Sequence, residues 1–350
     1  MLNTNEYDGV PGVTQCPIAP GESYTYRFRA TQYGSTWFHS HFSLQYSDGL
    51  YGPLIINGPA TANYDEDLGL LFLSDWSHKP IAELWDTVRK KGAPSLENGL
   101  ISGTNTYDCS ASTDPKCVGN GKKFERTFEA GRKYRIGLVN VATNGHFQFS
   151  IDAHNLTVIS NDLVPIVPYQ ASSVLLNIGQ RYDVVVEANA EPGDYWLRGG
   201  WQSSCSPNDN AENITGIIRY SATSTADPTT TGIKVGDDCG DEPLASLVPY
   251  LALDVGSYEG IVEETVGIVF NNYLLWTINS SSLYLNWSDP TNLRVYNHES
   301  VFPTDYNILS VEVSSSIKIL SFNADLTRFQ KEDSDDEWEV LVLEEKSGIP

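Results

Sequence analysis

One short pattern occurs twice in this 350-residue chain and restricts its fold more than any other feature. Gly21-Glu22-Ser23-Tyr24 opens an alternating segment that closes on Gly34-Ser35-Thr36-Trp37, and Gly179-Gln180-Arg181-Tyr182 opens a second that closes on Gly193-Asp194-Tyr195-Trp196. Each copy has the order expected of a turn, a strand, a second turn and a second strand. Gly131-Arg132-Lys133-Tyr134 repeats the first half. Related β-sandwich units are the physical reading. When Trp37 is placed on Trp196, His39 and His41 fall on Arg198 and Gly200. Only the first unit then carries metal-ligating side chains at that place.

Strand-like runs between Gly, Pro, Asn and Asp extend this all-β reading along the chain. They are expected at Ser23 to Ala30, Pro53 to Asn57, Lys133 to Asn140, Val174 to Ile178, Tyr182 to Glu187 and Ser310 to Phe322. One helix is expected over Ile81 to Lys91, stopped by Gly92 and Pro94. The Ser, Thr, Ala and Pro of 221–231 read as a linker, and the acidic run Glu332 to Glu339 as a solvated loop. A formal charge of -23 argues against nucleic acid or an anionic membrane as partner. No run of apolar residues is long enough for a membrane-spanning helix.

His39-Ser40-His41 lies in an aromatic, strand-like run, Thr36-Trp37-Phe38-His39-Ser40-His41-Phe42. Residues i and i+2 of a strand share a face, so both imidazoles are expected to approach one metal or two adjacent metals. Neutral imidazole suits copper, zinc, iron and nickel. Taken alone, the pair also fits two ordinary histidines on a strand face.

The residues that follow narrow the choice. Tyr33 to Pro59, with Trp37-Phe38-His39-Ser40-His41 and Gln45-Tyr46-Ser47-Asp48-Gly49-Leu50-Tyr51-Gly52-Pro53-Leu54, closely resembles the second copper motif of fungal laccases, in the blue multicopper oxidase family. The resemblance extends through Asp8-Gly9-Val10, Thr14 to Ile18, His154 to Ile159, Gly179 to Val184 and Gly193 to Trp196. It weakens after about Gly240, with family-like strands again at Leu274 to Asn279 and Trp338 to Glu344.

The resemblance implies tandem cupredoxin-like Greek-key β-sandwich domains. It places the C-terminal part of domain one at 1–60, domain two, without copper ligands, at 61–222, a linker at 223–245, and the N-terminal part of domain three at 246–350. It implies a type 1 copper that takes electrons from substrate and a trinuclear cluster of one type 2 and two type 3 coppers that reduces dioxygen to water. His39 and His41 would be type 3 ligands, one to each copper of that pair. Asp8 would be the acid that helps deliver protons beside the cluster. Its Asp8-Gly9 dipeptide is also an ordinary turn signal. Ser172 stands where fungal laccases often carry an acidic residue that contacts phenols, and a hydroxyl cannot accept a phenol proton as a carboxylate does.

The family's first, third and fourth copper motifs, including the type 1 cysteine, are not in this sequence. The chain is therefore expected to be a fragment cut just inside the outer motifs, with first and third domains incomplete. The remaining histidines, His78, His146, His154 and His298, match no ligand motif. Of five cysteines, the resemblance pairs Cys205 with Cys239 and leaves Cys16 for a partner beyond the C-terminus. Cys109 and Cys117 are close enough for a small local loop. The odd cysteine and the sequons at Asn155, Asn213, Asn279 and Asn286 point to a secreted glycoprotein, although no signal peptide is visible at Met1 to Asp8.

The expected function is that of a laccase-like multicopper oxidase, oxidising phenolic reductants and reducing dioxygen, in a protein monomeric at full length; the chain as given, with only His39 and His41 of the ligand set, is expected to be inactive alone. Three alternatives stand beside it: a non-catalytic truncated cupredoxin-like protein, a ferroxidase or ascorbate-oxidase-like relative, and a zinc hydrolase using His-x-His. The last needs a third ligand and a catalytic carboxylate, and no motif supplies either.

Overall fold

The computed structural model describes residues 4–110, 112–233, 236–253, 260–308, 317–323 and 339–342. The chain divides into two compact units, one built from 29–84 and 93–251, the other from 3–28, 85–92 and the residues from 252 on.

Thirteen strands build the first unit: β1 (Gly34–His39), β2 (Tyr51–Ile56), β3 (Glu66–Trp76), β4 (Asn98–Ile101), β5 (Phe124–Thr127), β6 (Lys133–Asn140), β7 (Phe147–Ile151), β8 (Leu156–Asn161), β9 (Val164–Ala171), β10 (Val174–Leu176), β11 (Arg181–Glu187), β12 (Asp194–Trp201) and β13 (Thr215–Arg219). They form a six-stranded sheet, β4-β3-β6-β11-β8-β9, a five-stranded sheet, β10-β7-β12-β13-β5, and the separate hairpin β1-β2. The two larger sheets enclose one core that includes Leu73, Leu138, Phe147, Leu156, Val184 and Leu197. That is the sandwich expected from the alternating strands. Strand β12 shows the alternation directly, since every second residue from Tyr195 to Trp201 is buried.

Strand β6 breaks the alternation, being buried from Tyr134 to Asn140. Its inner face meets the core and its outer face meets the hairpin. A Cβ built on Gly137 of β6 would lie 2.2 Å from Ser35 Oγ of β1, so only glycine allows this approach. Beside it, Arg135 donates to Ser35 Oγ at 3.1 Å and pairs with Asp183 of β11 at 2.9 Å and Asp67 of β3 at 2.5 Å. These contacts seat the hairpin on the sheet. Gly137→Ala is expected to lower the stability of the unit by about 1–3 kcal/mol through overpacking. A fall in the urea midpoint of unfolding would measure it, and an unchanged midpoint would show that β1 yields freely.

The second unit holds β14 (Gly260–Asn271), β15 (Tyr273–Ile278), β16 (Ile317–Asn323) and β17 (Glu339–Val342), in the order β15-β14-β16-β17, with the short helix Thr291–Tyr296. Within it Gly12 packs against Leu285 and Trp287, and the Asn292 N–H donates to the Val13 carbonyl at 2.8 Å.

The helix lies at Ile81–Lys91, as the Gly92 and Pro94 stop signals predict, with Arg89, Lys90 and Lys91 in its last turn. Strand β6 coincides with its expected range, and β2, β10 and β11 shift by one or two residues. Ser23 to Ala30 corrects the sequence reading: it is exposed and contains no strand. Alternation makes a segment able to pair, but a neighbour must satisfy its N–H and C=O groups, and no strand pairs with it among the described residues. Of the expected strand Ser310 to Phe322, residues 310–316 lie outside the described residues, as do 332–338 of the acidic run. The Ser/Thr-rich stretch 221–231 has no regular structure, yet it is tied to the sandwich. Thr230 Oγ1 donates to Asp152 at 2.7 Å, and Arg219 donates to the Ala226 carbonyl at 2.7 Å.

Candidate metal centre

His39 is the last residue of β1, and its register partner is Tyr51 of β2. Strand periodicity therefore applies to Trp37 and His39, whose rings stack with centroids 4.5 Å apart. His41 lies beyond the strand, which corrects the expectation that one strand face would carry both histidines. The turn after β1 performs the convergence instead, bringing the two imidazole centroids to 5.3 Å. Ser40 sets this turn: its N–H donates to the Leu50 carbonyl at 2.9 Å, its hydroxyl to Gln45 Oε1 at 2.7 Å, and the Phe42 N–H to Ser40 Oγ at 3.1 Å.

His39 Nδ1 lies 3.2 Å from the Ser40 carbonyl oxygen. A carbonyl only accepts, so Nδ1 carries the proton and Nε2 keeps its lone pair for a metal. Burial holds the His39 imidazole below its ordinary pKa. The Ser40 carbonyl opposes that shift and His41 reinforces it. The neutral form is the ligand form, and imidazole suits copper.

Tyr46 packs on His39 with ring centroids 4.7 Å apart. Its hydroxyl is held by the carbonyls of Val141 at 2.9 Å and Ala142 at 2.5 Å, just beyond β6. Burial, together with Asp75 and Tyr51, pushes its phenol well above the ordinary range, so the hydroxyl stays protonated and keeps donating. Asp75 in turn accepts the N–H groups of Thr143 at 3.0 Å and Asn144 at 2.7 Å, fixing the segment that holds Tyr46. The sandwich thus supports the His39 ring. Tyr46 lies in the motif that follows His39, but no local pattern says which carbonyls its hydroxyl reaches.

The other expected positions are distributed as follows. Asp8 follows the 3₁₀ turn Asn5–Tyr7 in the second unit, with its side chain exposed. Ser172 is exposed between β9 and β10. At the repeat position matching His39, Arg198 makes a bidentate pair with buried Asp152 at 2.7 Å, so an ion pair stands where the first copy has an imidazole. His154 spends both ring nitrogens, on the Asp152 carbonyl and the Tyr220 hydroxyl at 2.8 Å each, which suits a structural residue. His78 meets Tyr107 edge-on, and His298 is exposed. Cys205 is bonded to Cys239 and Cys109 to Cys117, while Cys16 is free and exposed. Among the sequons, Asn155 is exposed between β7 and β8, whereas the Asn213 carboxamide oxygen accepts from Lys123 Nζ at 2.8 Å. Asn279 and Asn286 lie in the second unit. Among the described residues no helix is long and apolar enough to cross a membrane.

Two family models described as multicopper oxidase match residues 1–61 and 67–223. The chain is 58% identical to laccase-2 of Botryotinia fuckeliana over 100% of its own length and 57% of that protein. It is 38% identical to laccase-3 of the same fungus, covering 89% of this chain and 69% of the relative. The crystal structure of a laccase from Botrytis aclada superposes with a TM-score of 0.88 at 60% identity, over 91% of this chain and 59% of that one. The chain thus spans a little over half the length of the first curated relative it matches. With the cupredoxin-like sandwich, the His39–His41 turn and these relatives in agreement, the chain belongs to the multicopper oxidase family.

Proposed function

We propose that these residues belong to a laccase-like multicopper oxidase that oxidises phenolic or related reductants by single electrons and reduces dioxygen to water. The observation that carries this reading is the convergence of His39 and His41, with His39 Nδ1 tied to the Ser40 carbonyl and Nε2 left open. In this reading they are ligands of a type 3 copper pair. Copper, when bound, supplies the one-electron steps that dioxygen reduction requires and that no side chain here can store.

The chain's own residues contribute orientation and a proton route. The Ser40 turn fixes the His39 tautomer, and Tyr46 braces the ring against the sandwich. Asp8 is the proposed proton relay, as an exposed carboxylate that can exchange protons with solvent. Ser172 is the proposed substrate-pocket position; with a hydroxyl there, a phenol proton must leave to another acceptor. The domain reading that accompanies this function keeps 1–60 as the end of cupredoxin domain one, 61–222 as domain two, 223–245 as the linker and 246–350 as the start of domain three. A secreted, glycosylated monomer that binds neither nucleic acid nor membrane fits the net charge of -23 and the exposed Asn155.

The test is oxygen uptake with a simple phenol by a copper-loaded full-length protein that contains these residues. Four phenols should lose one electron and one proton each per dioxygen consumed, giving two waters and no peroxide. Peroxide as the stoichiometric product, or oxidation of ferrous iron with phenols untouched, would sink the laccase reading. The second outcome would favour the ferroxidase alternative.

A further inference from the structure

A second set of metal-ligating side chains converges in the first unit, apart from the His39 turn. His146 precedes β7, Cys205 follows β12, and Cys239 lies beyond β13. His146 Nδ1 is 2.7 Å from Cys205 Sγ. One ligand atom from each of the three residues falls within 4.8 Å of the others, and all three residues are half-buried. While the two sulfurs are bonded to each other, neither is a thiolate, and no such site can operate.

We propose that reduction of the Cys205–Cys239 disulfide opens a three-ligand site, His146, Cys205 and Cys239, for a soft d10 cation, Cu(I) or Zn(II). The disulfide would then gate metal binding. A thiol or phosphine reductant supplies two electrons, the S–S bond breaks, and two protons from solvent give two thiols. Metal binding forms two metal–sulfur bonds and one metal–nitrogen bond and releases both thiol protons. Thiolate and imidazole together select Cu(I) and Zn(II) over harder ions. Tetrahedral bonds of about 2.3 Å to sulfur and 2.0–2.1 Å to nitrogen put the ligand atoms roughly 3.5–3.8 Å apart. The imidazole nitrogen is 2.7 Å from Cys205 Sγ and all three atoms lie within 4.8 Å of one another, so once the S–S bond breaks, outward side-chain rotations would open them to that spacing. A fourth position is left for water.

The scaffold that holds the three residues does not depend on the disulfide. The Gln202 N–H donates to the His146 carbonyl at 3.0 Å, and the Cys205 N–H to the Gln202 carbonyl at 3.0 Å. The segment leading to Cys239 is held separately. Gly236 N–H donates to Gln148 Oε1 at 3.0 Å, and Gln202 Nε2 donates to the Gly236 carbonyl at 2.9 Å. Ser204 donates its N–H and its hydroxyl to Asp237 Oδ1 at 2.8 and 3.0 Å. Gly145 lies against the Trp201 ring and fixes the approach to His146. Cutting the S–S bond therefore leaves both thiols beside the imidazole.

The experiment uses the full chain, reduced with a phosphine under anaerobic conditions and titrated with Co(II). The reduced chain should take up Co(II) with a near-ultraviolet thiolate-to-cobalt band that Zn(II) displaces, and it should compete for Cu(I) with a bicinchoninate probe. The oxidised chain should show no band. His39→Ala with His41→Ala should leave the band unchanged. His146→Asn should weaken Zn(II) binding at least about tenfold, and Cys239→Ser should remove the band. A reduced chain without the band overturns the proposal, including one that loses its near-ultraviolet circular dichroism and does not regain it with metal. A band indifferent to His146→Asn or to Cys239→Ser overturns it as well.

Discussion

In a copper-loaded full-length protein that contains these residues, alanine in place of His39 is expected to slow dioxygen reduction by about a hundred-fold or more, with the blue type 1 colour retained. Altering an outer partner of a metal ligand commonly lowers affinity or activity 10–100-fold, and loss of the ligand itself should exceed that. His39 sits at the end of β1 and its ring is half-buried, so truncation also leaves a small gap between Trp37 and Tyr46. That gap should lower the urea midpoint only slightly, which separates a ligand defect from unfolding. Tyr46→Phe is the informative companion. It keeps the ring against His39 but removes the hydroxyl held by Val141 and Ala142. Metal content should fall less than in His39→Ala, and the copper spectrum should broaden as the imidazole gains freedom. Full copper content and normal turnover in His39→Ala would remove His39 from the metal centre.

The largest stability effect is expected at Arg135. Arg135→Met should destabilise the first unit by about 3–5 kcal/mol, because it leaves Asp183 buried without its cation. The Asp183 side chain is 5% exposed, and its Oδ1 has no hydrogen-bond partner even with Arg135 present. Asp67, the second carboxylate on Arg135, is 33% exposed at its side chain and can be solvated. The double variant Arg135→Met with Asp183→Leu should therefore recover most of the loss, since matched apolar groups often replace a buried pair without penalty. Urea unfolding of wild type, both single variants and the double variant completes a cycle. Equal losses in Arg135→Met and the double variant would show that packing, not the stranded carboxylate, sets the effect. Because Arg135 also holds Ser35, the single variant should loosen β1 and weaken metal binding at His39.

Much of the architecture is legible in the sequence alone. The segments Lys133 to Asn140 and Ile81 to Lys91 coincide with β6 and the helix. The first is a long run that mixes β-branched, aromatic and aliphatic residues. The second carries a helical pattern bounded by Gly92 and Pro94. Both signals are local: periodicity and stop residues act within a few positions of the backbone they shape. The His39–His41 pair was legible for the same reason, since the single residue between them leaves a turn little choice but to bring them near each other.

Ser23 to Ala30 marks the limit of such reasoning. Its alternation is as good as that of β11, yet it is no strand, because alternation encodes which faces are apolar and not whether a partner will pair. The site's support was hidden in the same way. Arg135 meets Ser35 across 100 residues, Tyr46 meets Val141 across 95, and His146 meets Cys205 across 59. By itself the sequence determined the all-β class, the helix Ile81–Lys91 and the histidine pair, through residue types acting over short spans of backbone. Only the tertiary structure decided which carboxylates neutralise Arg135, what braces His39, and that an imidazole stands against the Cys205–Cys239 bridge. Those contacts depend on how two sheets and a hairpin pack, and packing is set by the whole sandwich at once.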